Sequence, residues 1–150
     1  MASIVVRAAR PDEVDRVASM YEWLFAPPGS RPGDWKPRRA AAALARAVSS
    51  EAAVVLVAGL GEELVGLCTA YEDIESVRFG LRVWVEDLAV HPERRSLGIG
   101  KRLLDEAKQW ARSRGATYLE LESAETRTAA HRFYERERPT RRSRSFGWEL

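Results

Sequence analysis

The sequence holds one cysteine, Cys68, among 150 residues, so no disulfide can form within the chain. A lone thiol in an apolar stretch fits a reducing compartment. Long apolar runs are missing as well: none approaches the ~18 residues that a membrane-spanning helix requires. The first ten residues carry a short apolar stretch and then charges, without the longer apolar region and cleavage site of a secretory leader. The expected location is therefore the cytoplasm. Histidine is scarce. His91 and His131 stand far apart, with no cysteines or acids at ligand spacing, so no metal is expected. Charge of one sign is lacking too: 24 Lys and Arg oppose 22 Asp and Glu, a net charge of +2. That argues against a nucleic-acid partner drawn by a whole-molecule basic field. No internal repeat or low-complexity linker interrupts the chain.

What is present is an ordinary globular composition, 45% apolar and 31% charged. The length is that of one domain, residues 1–150, able to bury a core without disulfides or metal. Residues 4–8 form a β-branched run, a first strand. Pro11, Asp12 and Glu13 look like the first turn of a helix, where proline and carboxylates suit the positive end of the dipole. Val14, Val17, Ala18, Tyr21, Leu24 and Phe25 follow at helical spacing. Residues 27–37 are rich in Pro and Gly and form a loop; residues 38–50 are alanine-rich and helical. Residues 53–58 are a continuous apolar run, short enough for a buried strand, and with 64–71 they make an antiparallel hairpin. Residues 81–90 are another strand. Helix resumes near Gly98, with Ile99, Leu103, Ala107, Trp110 and Ala111 on one face, and Gly115 stops it. Residues 117–122 alternate as a half-buried strand, 127–137 form a short helix, and Phe146, Trp148 and Leu150 alternate as a last strand. The order describes a mixed α/β or α+β sheet protein.

The stretch VWVEDLAVHPERRSLGIGKRLL, residues 83–104, carries the chemistry. An apolar strand ends at Val90, Pro92 stops it, and Arg95, Ser96, Leu97, Gly98, Ile99 and Gly100 lead into an amphipathic helix. Two glycines one residue apart leave the backbone uncluttered at a helix start. Unpaired N–H groups there point outward, and the dipole favours an anion such as a pyrophosphate. The spacing lacks the third glycine of a dinucleotide fingerprint and the Gly-Lys-Ser/Thr of a P-loop. Taken alone, it reads more readily as a glycine turn without a ligand.

Arg95-x-x-Gly98-x-Gly100, after a strand ending Leu88-Ala89-Val90-x-Pro92, resembles the acetyl-CoA-binding motif of the GNAT superfamily of N-acetyltransferases. The resemblance extends through Gly115 and Leu119-x-Leu121 to Ala130-His131-Arg132-Phe133-Tyr134-Glu135. It implies a mixed, mostly antiparallel central sheet of about six to seven strands flanked by about four helices. It implies acetyl-CoA as co-substrate, with pantetheine lying where Leu88, Ala89 and Val90 part from the next strand. The amides from Arg95 or Ser96 through Leu97, Gly98, Ile99 and Gly100 to Lys101 are then the pyrophosphate site. Tyr134 falls at the position of the family's general acid beside the coenzyme sulfur. Members of the family are often dimers, so a homodimer is among the expected states. Two departures stand out: Arg127 where the family often has Asn, and Arg138-Pro139 where it usually has Gly-Phe.

Direct acetyl transfer to an amine requires a base, donors for the oxyanion and an acid for the departing thiolate. Glu86 and Asp87 lie just before Leu88 and are the candidate base and amine contacts, with Glu86 first as the base. The string Glu86-Asp87-x-x-Val90 is similar to that of polyamine-acetylating members. By strand alternation one of the pair faces the core side and the other the acceptor side. Glu86 also reads as a solvated strand acid, and Asp87 as a partner of Arg82 or Arg94. Cys68 reads as core. Trp23 and Trp35, flanking the 27–37 loop, either pin it to the core or cover the acceptor. Arg136, Arg138, Arg141, Arg142 and Arg144 read as a solvated face, or as contacts to coenzyme phosphate or RNA. The expected enzyme acetylates a primary amine of a small molecule, polyamine-, aminoglycoside- or amino-acid-like. A protein N-terminus or lysine, or a non-catalytic acyl-CoA-binding role, are the alternatives.

Overall fold

An apolar run without polar alternation needs cover on both faces, and the run that begins at Ala53 obtains it. In the computed structural model, which describes residues 3–150, it forms β2 (Ala53–Leu60), an interior strand of one sheet. Residues 1 and 2, part of the N-terminal stretch read for a leader, lie outside the described residues. The sheet order is β1 (Ile4–Ala8), β2, β3 (Glu63–Ser76), β4 (Gly80–Val90), β5 (Tyr118–Glu120). The first three pairings are antiparallel and β4–β5 is parallel.

Val54, Leu56 and Ala58 share one core with Ile99, Leu103, Ala107 and Ala111. Those four lie on α4 (Ile99–Ser113), spaced by four residues, so they form one apolar stripe. Val55 and Val57 point the other way, into a core built with α1 (Val14–Ser19). A one-turn α2 (Glu22–Phe25) continues α1 through Met20 and Tyr21, both with helical backbone angles, so the two make one bent arm. With α3 (Pro37–Ser49), α4 and α5 (Thr128–Arg136), four helical units flank the sheet, the number expected.

Pro11–Glu13 forms a 3-10 turn that runs directly into α1, the first turn expected, and Glu13 does more there than complement a helix dipole. It is 2% exposed. Its carboxylate accepts from both terminal nitrogens of Arg7 at 2.8 Å and from the Arg10 N–H at 2.8 Å. These donors, Arg7 first, hold its pKa down to about 2.

Among the described residues the sheet has five strands, fewer than the six to seven expected. The alternation of Phe146, Trp148 and Leu150 yields no strand; Phe146 and Trp148 are 76% and 81% exposed. Alternation supplies a side-chain pattern, but a strand also needs a ladder partner. The chain leaves α5 through Arg138 at φ 59° and then Pro139, which has no N–H to donate. Side chains hold the tail instead: Arg142 on Glu135, Arg141 over the Phe79 ring, and the Ser145 hydroxyl on Glu122.

Candidate active site

A bulge in β4 shapes the site. Thr69 pairs with Asp87 and Ala70 with Val85, so Glu86 is an extra residue opposite β3. Strict alternation predicts Glu86 and Asp87 on opposite faces, and the bulge overturns that. Val85 is buried in the core on the α4 side, while Glu86 and Asp87 together line two cavities.

Asp87 is the more enclosed of the pair. Its Oδ2 accepts from the Tyr21 hydroxyl at 2.6 Å and from Thr69 Oγ1 at 3.2 Å. Its backbone N–H donates to the same Thr69 oxygen at 3.1 Å. Burial pushes the Asp87 carboxyl above the usual range, and the two hydroxyl donors pull it part of the way back. Burial, then the negative charge of Asp87, raises the Tyr21 phenol, which therefore stays protonated as donor. Neither arginine considered as a partner reaches Asp87. Arg82 pairs with Asp73 and Glu120, and Arg94 with Glu63. Glu86 is exposed, and its Oε2 accepts from the Trp84 indole N–H at 2.8 Å.

Beyond this pair the sheet opens. β4 pairs with β5 only from Arg82 to Trp84, against Tyr118 to Glu120. Past that point the two strands part, and a cavity of about 380 Å³ lies there, with Asp87 and Leu88 on one wall and Tyr134 on the other. The His91 N–H donates to Val65 of β3. Backbone groups alternate along a strand, so Leu88 and Val90 carry theirs on the opposite edge, into the gap. Ala89 is buried in the core on the α1 side. Tyr134 reaches the cavity from α5, and burial pushes its phenol up to about 12.

The loop into α4 runs from a 3-10 turn, Pro92–Arg94, through four exposed residues, Arg95 to Gly98. Gly98 has φ 76° with nothing within 4 Å of the position a Cβ would take. The helix's first hydrogen bond is from the Arg102 N–H to the Gly98 carbonyl at 3.1 Å, so the earlier amides point out of the helix end. Ile99 is core. At Gly100 a Cβ would make ordinary van der Waals contact with the Phe133 ring at 3.5 Å and Val90 at 3.8 Å. The Lys101 ammonium is directed to Asp105 at 3.0 Å and Glu137 at 3.2 Å.

Several lining residues escaped the sequence reading as site residues. Tyr21 sat in the apolar periodicity of the first helix, and Thr69 in a strand, with no signal that either would meet Asp87. Trp35 is part of the cavity wall, stacked on Tyr21 at 5.9 Å and edge-on to Phe25 at 4.7 Å. Trp23 instead packs on His91 at 5.1 Å. Arg127 donates to the Leu24 carbonyl at 2.9 Å, tying the start of α5 to α2 across the cavity. Ser123 lines the cavity too, with a buried hydroxyl oxygen that has no protein partner. Cys68 is buried, its thiol raised to about 12 by burial, as a core residue. Among the described residues no helix is long and apolar enough to cross a membrane.

Residues 17–138 match the model of the Acetyltransferase (GNAT) family. An uncharacterised N-acetyltransferase of Bacillus subtilis, YhdJ, is 43% identical over 68 residues, 45% of this chain and 47% of that protein. The match thus spans about half the length of the relative. Among solved structures, aminoglycoside N-acetyltransferase AAC(6')-Iy in complex with CoA superposes with a TM-score of 0.86 at 14% identity, covering 100% of this chain and 96% of the other. A transcriptional regulator from Bacillus halodurans C-125 gives 0.83 at 22% identity, covering 99% and 100%. At these identities the likenesses establish the fold.

Proposed function

This chain belongs to the GNAT acetyltransferase family, and from that premise we propose that it acetylates a primary amine of a small molecule with acetyl-CoA, in the cytoplasm. One observation carries the reading. The β4–β5 gap ends in a cavity with a carboxylate pair on one wall and a protonated phenol on the other. The open gap edge of Leu88 and Val90 and the outward amides of the Arg95-to-Gly98 loop fit a pantetheine and a pyrophosphate. The CoA bound by the aminoglycoside N-acetyltransferase of the same fold supports this.

When bound, acetyl-CoA supplies a thioester. The chain's residues manage protons around it. An alkylamine has a pKa near ~10.4 and arrives charged, so a carboxylate pair draws it in. Asp87 Oδ2 is committed to Tyr21 and Thr69, which leaves Oδ1 to take the ammonium proton. Enclosure and a raised pKa suit Asp87 to this base role, and exposure suits Glu86 to attracting the amine. The Leu88 N–H, on the gap edge, is the donor for the developing oxyanion. The Tyr134 hydroxyl, protonated at neutral pH, gives its proton to the departing thiolate.

The test is thiol release on mixing the protein with acetyl-CoA and a panel of amines, lysine peptides and peptide N-termini. Amine-dependent release supports the proposal. Release with peptides alone makes the acceptor a protein, and tight acetyl-CoA binding without release with any acceptor makes the chain a binding module.

A further inference from the structure

The carboxylate pair stands between two cavities, and only one of them adjoins the β4–β5 gap. The second, about 390 Å³, lies between α3 and strands β2 and β3. Tyr21, Trp35, Glu86 and Asp87 line both. Apart from Thr69, whose hydroxyl is held on Asp87, and Tyr71, the rest of the second cavity is built from small and apolar side chains. Ala40, Ala43 and Ala47 present one face of α3, and Ala53, Leu44 and Tyr71 complete the wall. An alanine-rich helix over a sheet leaves room that leucines would fill, and the shortened α3 side chains open that space directly beside Asp87. Apart from Glu86 and Asp87 at its mouth, no charged side chain lines it.

We infer that the acceptor is a monoamine with an apolar alkyl or aryl body, which seats its amine at Asp87 and Glu86 and its body in the cavity under α3. The inference rests on the acetyltransferase reading and names its substrate class. The gap-side cavity holds Tyr134 and Leu88, where the thioester must come, and continues past Phe25 and Pro32 to polar groups at Glu122, Ser123 and Arg127; the cavity under α3 is the apolar seat open to the acceptor's body. At the junction the ammonium meets two carboxylates, beside the stacked rings of Tyr21 and Trp35. A polycation is disfavoured: its second ammonium, lying under α3, would be desolvated with no acid to pair it. Hydroxyl-rich amino sugars face the same lack of polar partners.

The experiment compares kcat/KM across n-alkylamines from ethylamine to hexylamine, 2-phenylethylamine, spermidine and an aminoglycoside. The alkyl series is expected to rise on the order of threefold per added methylene until the cavity is full. Ala43→Leu, which fills the cavity from α3, is expected to lower the preference for hexylamine over ethylamine at least tenfold. Acetyl-CoA affinity by calorimetry confirms that the variant is folded; Ala47→Leu is the substitute if it is not. A flat alkyl series, or spermidine or the aminoglycoside as the best acceptor, overturns the inference and leaves the acetyltransferase reading standing. Absence of both acetyl-CoA binding and thiol release takes down the acetyltransferase reading itself, and this inference with it.

Discussion

Replacing Asp87 by asparagine separates a base from a structural acid. The amide oxygen can still accept from the Tyr21 hydroxyl and Thr69 Oγ1, the two donors now 2.6 Å and 3.2 Å from Oδ2. Stability should change little, because two charge-assisted bonds weaken while a buried charge is removed. Catalysis should change greatly. A positioned general base contributes ~10²–10⁴-fold, or about 2.7–5.4 kcal/mol of barrier at ~1.36 kcal/mol per tenfold. The pH profile carries the sign. Asp87 works only when ionised, and burial raises its pKa, so wild-type activity should fall with acid at a pH above the ordinary carboxylate range. Asp87→Asn should lose that limb and retain only the rise that follows deprotonation of the free amine. Tyr21→Phe removes a donor that favours the ionised carboxylate, so it should move the same limb to higher pH. The assay is thiol release from acetyl-CoA between pH 4 and 9 under kcat/KM conditions, with urea unfolding as the control on stability. An Asp87→Asn enzyme within twofold of wild type and with the acid limb intact would refute the assignment. Loss of the limb in Glu86→Gln instead would move the base to Glu86.

Tyr134→Phe keeps the ring and deletes the hydroxyl, so kcat should fall ~10²–10⁴-fold with acetyl-CoA affinity barely altered; turnover within twofold of wild type makes Tyr134 structural. Gly98→Val places a side chain in open space at φ 76°, and acetyl-CoA affinity should drop tenfold or more, about 1.4 kcal/mol, by calorimetry on the folded variant. Glu13, with its pKa lowered to about 2, contributes stability that is full above the ordinary glutamate pKa of ~4.3 and lost as pH falls through about 2. Urea unfolding should show Glu13→Gln less stable at pH 7 and flatter between pH 5 and 2; parallel curves for the two proteins count against the role. Arg138 holds φ 59°, which costs an L-residue about 1–2 kcal/mol, so Arg138→Gly should stabilise by about 0.5–1 kcal/mol net of glycine's own entropy and raise Tm by about 2 °C. An unchanged or lower Tm would show that the turn is not strained.

Much of the site is local, and local features are legible in a sequence. The Arg95-to-Gly100 entry into α4, the adjacent Glu86 and Asp87, and Tyr134 on its short helix are each set within a few residues. So is the two-sided core of β2, because an apolar run without alternation has only one stable environment. Tertiary structure decided what those residues meet. Whether Glu86 and Asp87 share a face depends on pairing with β3, and the extra residue in that pairing leaves no mark in β4 itself. The partner of Asp87 is Tyr21, 66 positions away, on a helix whose periodicity speaks only of burial. The alternation at Phe146, Trp148 and Leu150 is as regular as that of any strand in the chain. It forms none because a strand's hydrogen bonds belong to its neighbour, and residue pattern alone cannot supply one.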